Sequence, residues 1–171
     1  WSRGLGDVYK RQIHEDSMTE KALSILELAE QKNTKIHLPI DVVCAKEFKE
    51  GAESKIFAID SISDEYEGLD SGPKSLEKFK KIIMSSKTIL WNGPVGVFEL
   101  ESFSKGTKEI GTAISESTKS GAFSLVGGGD SVAAVKKFKL ENEVSYVSTG
   151  GGAMLESLEG KILPGISALK K

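Results

Sequence analysis

The chain has 171 residues, enough for one domain with a buried core, and its 23 basic and 25 acidic side chains leave a formal charge of −2. This near balance argues against a nucleic-acid or membrane surface, and no apolar run reaches the roughly 18 residues of a membrane span. Cys44 is the only cysteine, which excludes an internal disulfide and a cysteine zinc cluster, so the sequence predicts a reducing, cytoplasmic setting without a signal peptide.

The first twelve residues, WSRGLGDVYKRQ, show neither helical nor strand periodicity and no turn logic. We interpret residues 1–12 as a leader that is not native to the domain, a cloning or assembly remnant, with an irregular native loop as the alternative. The organised chain then begins near Ile13, and residues 13–171 are expected to form one partial domain.

Helical and strand patterns begin to alternate near residue 17. The S-x-x-E pattern of SMTE (17–20) is typical of a capping box and predicts a helix to about Gln31. Two strands are predicted next: KIHLPIDVV (35–43) and SKIFAID (54–60). Pro39 makes part of the first strand irregular, because proline cannot donate to a sheet. The sequence DSGP (70–73) indicates a turn.

The same alternation continues to the C-terminus. Apolar residues at helical spacing predict helices over residues 76–83 and 103–114. Short apolar runs predict three strands: TILW (88–91), AFSLV (122–126) and VSYVS (144–148). Two further segments predict helices: SVAAVKKF (131–138) and AMLESLEG (153–160). Repeated strand–helix units indicate an α/β fold with a mainly parallel sheet and helices on both faces, a Rossmann-like three-layer sandwich.

Loops at the carboxyl ends of the later strands are the candidate ligand sites of such a fold. They are NGPVGVFE (92–99), GGGDS (127–131) and STGGGA (148–153). Glycine lets backbone amides approach a ligand, and a helix N-terminus favours anions, so the glycine runs indicate a phosphate site. Each run alone is also consistent with a tight turn that lets helix and sheet pack closely. Neither run matches G-x-G-x-x-G, the dinucleotide-binding fingerprint, and the P-loop motif G-x-x-x-x-G-K-[ST] is absent. The sequence therefore supports neither of these two kinds of site.

Asp130 ends the first glycine run and would repel a phosphate placed beside it. The sequence therefore predicts Mg²⁺ between the Asp130 carboxylate and phosphate oxygens, since Mg²⁺ combines one or two carboxylates with substrate phosphates. The alternative is that Asp130 is a helix N-cap. Both roles are compatible, because a carboxylate has two oxygens.

Longer motifs surround these loops: LWNGPVGVFE (90–99), VGGGDS (126–131) and STGGGAMLESLEGKILPGI (148–166). They resemble signature segments of the phosphoglycerate kinase family, from its C-terminal, nucleotide-binding half. LPIDVV (38–43) and LDSGP (69–73) are similar to further segments of that family, in the same order. The resemblance extends over residues 17–169 and implies an incomplete C-terminal domain of a two-domain kinase.

The resemblance implies a glycolytic enzyme of the cytoplasm. Such an enzyme transfers a phosphoryl group between 1,3-bisphosphoglycerate and Mg-ADP, giving 3-phosphoglycerate and Mg-ATP, so Mg²⁺ and ATP or ADP are the implied ligands. The family has two Rossmann-like domains, of which the N-terminal one binds the phosphoglycerate and the C-terminal one the nucleotide. Family members are usually monomers, and neither nucleic acid nor a membrane is an implied partner.

The resemblance also implies a role for each matched residue. Glu99 would accept hydrogen bonds from the ribose hydroxyls and Leu38 would line the adenine pocket; without the resemblance they are a solvated loop carboxylate and a core leucine. Asp130 would approach Mg²⁺. The phosphates would lie along Asn92 and Gly93, and the nucleotide would pack against Gly128, Gly129 and Ser131. The transferred group would meet the amides of Gly150, Gly151 and Gly152.

The sequence departs from the family pattern upstream of Ile13, where residues 1–12 do not resemble the expected glycine–lysine segment. We therefore expect no measurable turnover from this polypeptide, weak binding of Mg-nucleotide, and binding of 3-phosphoglycerate only through the missing N-terminal domain. The alternative is a non-catalytic nucleotide-binding or partner-binding module. A nicotinamide-dependent oxidoreductase is disfavoured, because G-x-G-x-x-G is absent.

Overall fold

The computed structural model describes residues 16–169, which divide into two compact units. Within the described residues, the first unit runs to Phe79 and resumes over Val95–Gly106, whereas the second covers Lys80–Pro94 and continues from Thr107. The leader over residues 1–12 lies outside the described residues and stays a prediction.

The first unit contains an antiparallel sheet. After a 3-10 turn and helix α1 (Thr19–Gln31), the strands are β1 (Asp41–Ala45), β2 (Ser54–Ala58) and β3 (Glu67–Ser71). They pair in the order β2-β1-β3, with β1 in the centre. Successive side chains of a strand point to opposite faces, so the side chains of β1 reach both faces of the sheet.

Strand β1 carries the core of the first unit on both of its faces. One cluster contains Val42 and Cys44 with residues from the β2–β3 connection, and the other contains Ala45 with Leu69 and Phe103. Cys44 is fully buried, and burial raises the pKa of its thiol to about 11, so the thiol stays protonated near neutral pH. Cys44 is therefore a small core residue.

The second unit contains a parallel sheet. Strands β4 (Thr88–Trp91), β5 (Phe123–Val126) and β6 (Tyr146–Val147) lie in the order β4-β5-β6. The helices are α2 (Pro73–Ser85), α3 (Lys105–Lys119), α4 (Gly129–Lys137), α5 (Gly151–Leu158) and α6 (Pro164–Leu169), of which α2 and α3 begin in the first unit. Parallel strands require crossover connections, and α3 and α4 supply them. Among the described residues, no helix is long and apolar enough to cross a membrane.

The α/β class is confirmed, and the predicted parallel arrangement holds for β4, β5 and β6. The antiparallel sheet was not predicted, because strand–helix alternation does not report the direction of strands joined by loops. The prediction of a turn over residues 70–73 is wrong at Asp70 and Ser71, which end β3. This strand has a weak sequence signal, since Leu69 is its only large apolar residue.

Two predictions near the N-terminus are also wrong. The capping box fails because a 3-10 turn, Asp16–Met18, precedes α1, so the helix begins at Thr19 without a side-chain cap from its N-cap residue Met18. The strand predicted over residues 35–43 begins only at Asp41. Pro39 lies in the part that forms no strand, in agreement with its missing donor.

Helices α2 and α3 are capped by aspartates from distant strands. Neither helix has an acidic residue in its own first turn. Asp41 on β1 accepts hydrogen bonds from the backbone N–H groups of Lys74 and Ser75, at 3.0 and 2.7 Å, and from the Ser75 hydroxyl at 2.6 Å. Asp70 on β3 accepts a bond from the Gly106 N–H at 2.7 Å. Both aspartates are buried. Each accepts N–H groups that have no partner within the helix, at the end where negative charge is favoured.

The hydrogen bonds to Asp41 shift its ionisation. Burial alone raises the pKa of this carboxyl, but the bonds from Ser75 and Lys74 outweigh that effect and hold the pKa below its ordinary value of 3.8. A carboxyl whose pKa is lowered in the folded state stabilises the fold above its unfolded pKa. That contribution is lost as the pH falls through the folded pKa.

We predict that Asp41→Asn lowers the free energy of unfolding by about 1–3 kcal/mol at neutral pH, because the cap of α2 loses its charge and one acceptor. The difference from the wild type should narrow as the pH falls below 3.8, where the wild-type carboxyl takes up a proton. Denaturant unfolding at a series of pH values measures both effects. Asp60→Asn, at an exposed turn, is the control, and a gap that does not change with pH would contradict the prediction.

Candidate functional site

The loops that follow β4, β5 and β6 begin side by side at the carboxyl edge of the parallel sheet. The Gly127 N–H donates to the Trp91 carbonyl at 3.0 Å, and the Ser148 N–H donates to the Val126 carbonyl at 2.8 Å. Backbone pairing therefore continues one residue beyond β5 and β6. This edge is where ligands bind in open parallel sheets.

The loop after β4 is tied to the start of α4. The Gly93 N–H donates to the Ser131 hydroxyl at 2.5 Å, and Ser131 is fully buried. The Trp91 indole N–H donates to the Gly93 carbonyl at 2.8 Å. Gly93 has a φ of +111°, which favours glycine. The Asn92–Gly93 turn is thus held by hydrogen bonds from both sides.

Asp130 lies in the first turn of α4 and is exposed. The N-cap of this helix is Gly128, with a φ of +86°, and no side chain caps it. The alternative prediction of Asp130 as N-cap is therefore wrong, because the helix begins at Gly129 and already contains Asp130. In the first turn the carboxylate is still favoured by the helix dipole.

Some of the glycines in the two runs are required by packing. A Cβ atom on Gly151 would lie 2.6 Å from the backbone nitrogen of Gly128 and 2.8 Å from its Cα. A Cβ on Gly128 would lie 2.5 Å from Oδ1 of Asn92, and one on Gly127 would lie 2.1 Å from Cε of Met154. Packing therefore requires glycine at these three positions, through contacts with a neighbouring loop and with helix α5; the close contact of helix and sheet expected from the sequence stays a prediction. Their contact brings the starts of α4 and α5 together.

The remaining glycines of the runs have a different setting. An added Cβ on Gly129, Gly150 or Gly152 would meet nothing within 4 Å, and none of them has a positive φ. Neither packing nor backbone conformation thus requires glycine at these positions. Open space beside backbone at two helix N-termini is what an anion needs for close approach.

The predicted site residues fall into both units. The second unit brings together Asn92, Gly93, Gly128, Gly129, Asp130, Ser131, Gly150, Gly151 and Gly152. Leu38 and Glu99 belong to the first unit, and both are exposed. The core-leucine alternative for Leu38 is wrong, since 46% of this residue is accessible.

Sequence analysis missed structural roles at this edge. Trp91 is buried at the end of β4, and its indole also holds the following turn through Gly93. Gly127, in the loop after β5, packs against Met154 of helix α5, and this contact was not predicted. The adjacent residues Trp91, Asn92 and Gly93 indicate a turn directly after the strand. The contact of Gly127 with Met154 joins residues far apart in the chain, so no local pattern indicates it.

The donor set at this edge suits Mg²⁺ only when a nucleotide accompanies it. Within residues 16–169, no group of three or more His, Cys, Asp or Glu side chains could hold a metal ion. Asp130 offers one exposed carboxylate next to the open glycines. Mg²⁺ commonly combines one such carboxylate with phosphate oxygens and water, so the residues fit a phosphate-bound ion.

A family model and individual relatives point to the same protein family. Residues 5–161 match the family model "Phosphoglycerate kinase". The phosphoglycerate kinase of Thermosipho africanus is 51% identical over 168 residues, covering 98% of this chain and 42% of the relative. The enzyme of that name from Porphyromonas gingivalis is 52% identical over 158 residues, covering 92% of this chain and 38% of the relative.

Solved structures agree with the sequence comparison. Phosphoglycerate kinase from Coxiella burnetii superposes with a TM-score of 0.88 at 42% identity, covering 95% of this chain and 41% of that one. The enzyme from Pyrococcus horikoshii gives a TM-score of 0.73 at 32% identity, covering 96% and 40%. The chain therefore spans 38–42% of the length of the curated relatives described here.

The two classes of glycine predict opposite responses to alanine. Gly151→Ala should lower the free energy of unfolding by about 1–3 kcal/mol, because its Cβ would overlap the backbone of Gly128. Gly152→Ala, at the next residue of the same helix, is the matched control and should be neutral or stabilising by up to about 1 kcal/mol. Denaturant unfolding measures both, and equal losses would contradict the division into packed and open glycines.

Proposed function

The chain belongs to the phosphoglycerate kinase family, and on this premise we propose that it supplies the nucleotide-binding part of a phosphoglycerate kinase. The reaction transfers a phosphoryl group between 1,3-bisphosphoglycerate and Mg-ADP and gives 3-phosphoglycerate and Mg-ATP. The observation that carries the proposal is the set of open glycines, Gly129, Gly150 and Gly152, at the starts of α4 and α5.

We propose that the phosphates of the nucleotide bind where α4 and α5 begin. The first N–H groups of a helix have no partner within the helix, and its N-terminus carries a partial positive charge. Gly151 packs on Gly128, so two such N-termini lie next to each other. Both can then donate to one polyphosphate, and the open glycines let it approach the backbone.

Asp130 would hold the Mg²⁺ that accompanies the nucleotide. The ion would neutralise charge on the phosphate oxygens, which removes the repulsion that the carboxylate would otherwise exert. This role uses the exposure of Asp130 and its place in the first turn of α4. Asp130 is therefore assigned to binding of the metal–nucleotide complex.

Phosphoryl transfer depends on positioning and electrostatic stabilisation more than on a covalent nucleophile. In the proposal, backbone amides at Gly150 and Gly152 meet the transferred group, where the space is open. Gly151 holds the two glycine runs together, and Ser131 and Gly93 hold the loop after β4 beside them. Asn92 lies at the start of that loop and would contact the phosphates.

The first unit would contribute to recognition of the nucleoside. We propose that the exposed Glu99 carboxylate accepts hydrogen bonds from the ribose hydroxyls and that the exposed Leu38 side chain contacts adenine. Following the family resemblance, 3-phosphoglycerate would bind to a basic N-terminal domain, and the enzyme would act as a monomer in the cytoplasm.

Calorimetric titration with Mg-ADP tests the proposal. Asp130→Asn is expected to weaken Mg-ADP binding roughly tenfold, because the ion loses a charged ligand. With ADP and a chelator, the variant should bind at least as well as the wild type, since the repulsion of phosphate is removed as well. Glu141→Gln, at an exposed acid of the second unit, is the control. Unchanged Mg-ADP affinity in Asp130→Asn would contradict the metal role, and no binding to the wild type would contradict the proposed function.

A further inference from the structure

The buried carboxylate of Asp70 lies between two glycines of the first unit. Asp70 is on β3 and is 4% exposed. A Cβ atom on Gly96 would lie 2.2 Å from its Oδ1, and a Cβ on Gly106 would lie 2.1 Å from the same oxygen. Only residues without a side chain can pack this close, so one carboxylate holds the loop at Gly96 and the start of α3 at Gly106.

Hydrogen bonds strengthen this arrangement. Oδ2 of Asp70 accepts the Gly106 N–H at 2.7 Å, and Oδ1 accepts the Ser71 N–H at 2.8 Å. The preceding strand residue, Leu69, accepts the Val97 N–H at 2.9 Å through its carbonyl. The loop is therefore bonded to β3 at Val97, one residue beyond the place where Gly96 packs against the Asp70 carboxylate.

Glu99 lies two residues beyond this attachment. Phe98 is 5% exposed and Phe103 is fully buried, whereas Glu99 is exposed. Val97 and Leu100 pack against the core cluster that contains Phe103. The backbone on both sides of Glu99 is thus anchored to the core. It is attached to β3 by the bond from Val97 to Leu69 and by the packing of Gly96 against the Asp70 carboxylate.

We propose that Asp70 is a positioning residue for nucleotide binding, which holds the loop so that the Glu99 carboxylate stands where ribose hydroxyls can donate to it. The inference rests on the proposed function, because the role of Glu99 does. Asp41 provides a matched comparison, since it is equally buried and also caps a helix, through Lys74 and Ser75. A purely structural role would make the two aspartates equivalent in binding assays.

The test compares ADP with 2′,3′-dideoxy-ADP, each with Mg²⁺, by calorimetry on the full chain. The ratio of the two dissociation constants reports the contribution of the ribose hydroxyls, and we expect a wild-type ratio of roughly 3 to 10. Glu99→Ala should bring the ratio to about one, because it removes the acceptor. Asp70→Asn should do the same. Its NH2 group cannot accept a hydrogen bond and needs more room than an oxygen beside Gly96, so the loop is expected to shift. Asp41→Asn should keep the wild-type ratio despite its lower stability.

The variant Gly96→Ala distinguishes the position of the loop from the capping of α3 by Asp70. Its Cβ would overlap both the Asp70 carboxylate and the Phe103 carbonyl and so displace the loop, while the bond from Gly106 to Asp70 can remain. This variant should also bring the ratio to about one, and it serves if Asp70→Asn does not fold. If Glu99→Ala brings the ratio to about one while Asp70→Asn and Gly96→Ala keep the wild-type ratio, the positioning role is overturned and the proposed function stands. If the wild type does not bind Mg-ADP, or if Glu99→Ala keeps the ratio, the role of Glu99 fails and this inference fails with it.

Discussion

The contact between the backbones of Gly128 and Gly151 is the constraint on which the candidate site depends. It places the N-termini of α4 and α5 next to each other at the carboxyl edge of the parallel sheet. Each helix start alone attracts anions weakly, whereas adjacent starts can share one polyphosphate. Any side chain at Gly151 would separate them, so the geometry of the site is set by an absence of Cβ atoms.

Within each unit, buried polar groups hold loops and helix starts in place. In the second unit, Ser131 and Trp91 hold the turn at Gly93 from opposite sides. In the first unit, Asp41 and Asp70 connect strands to the starts of α2 and α3. Burying a carboxylate costs free energy unless it is hydrogen-bonded. Asp41 and Asp70 therefore each favour the arrangement of strand and helix in which their hydrogen bonds form.

Local signals were enough for the α/β class, for the strands of the parallel sheet, and for the position of the glycine loops. They were not enough for β3 or the antiparallel sheet, because pairing direction depends on loops with no periodicity. The caps of α2 and α3 come from residues more than 30 positions earlier in the chain, which no local motif reports. Likewise, sequence letters alone cannot separate Gly151, which packs on another backbone, from Gly152, which faces open space.

The central claim is that backbone amides at the open glycines bind the phosphates of a magnesium-bound nucleotide. Amide-resolved NMR of the full chain during titration with Mg-ADP tests it most directly. The account predicts that the largest shifts occur at the N–H groups of Gly129, Gly150 and Gly152, where the backbone is accessible. Binding that leaves these amides unshifted while perturbing resonances elsewhere would contradict it.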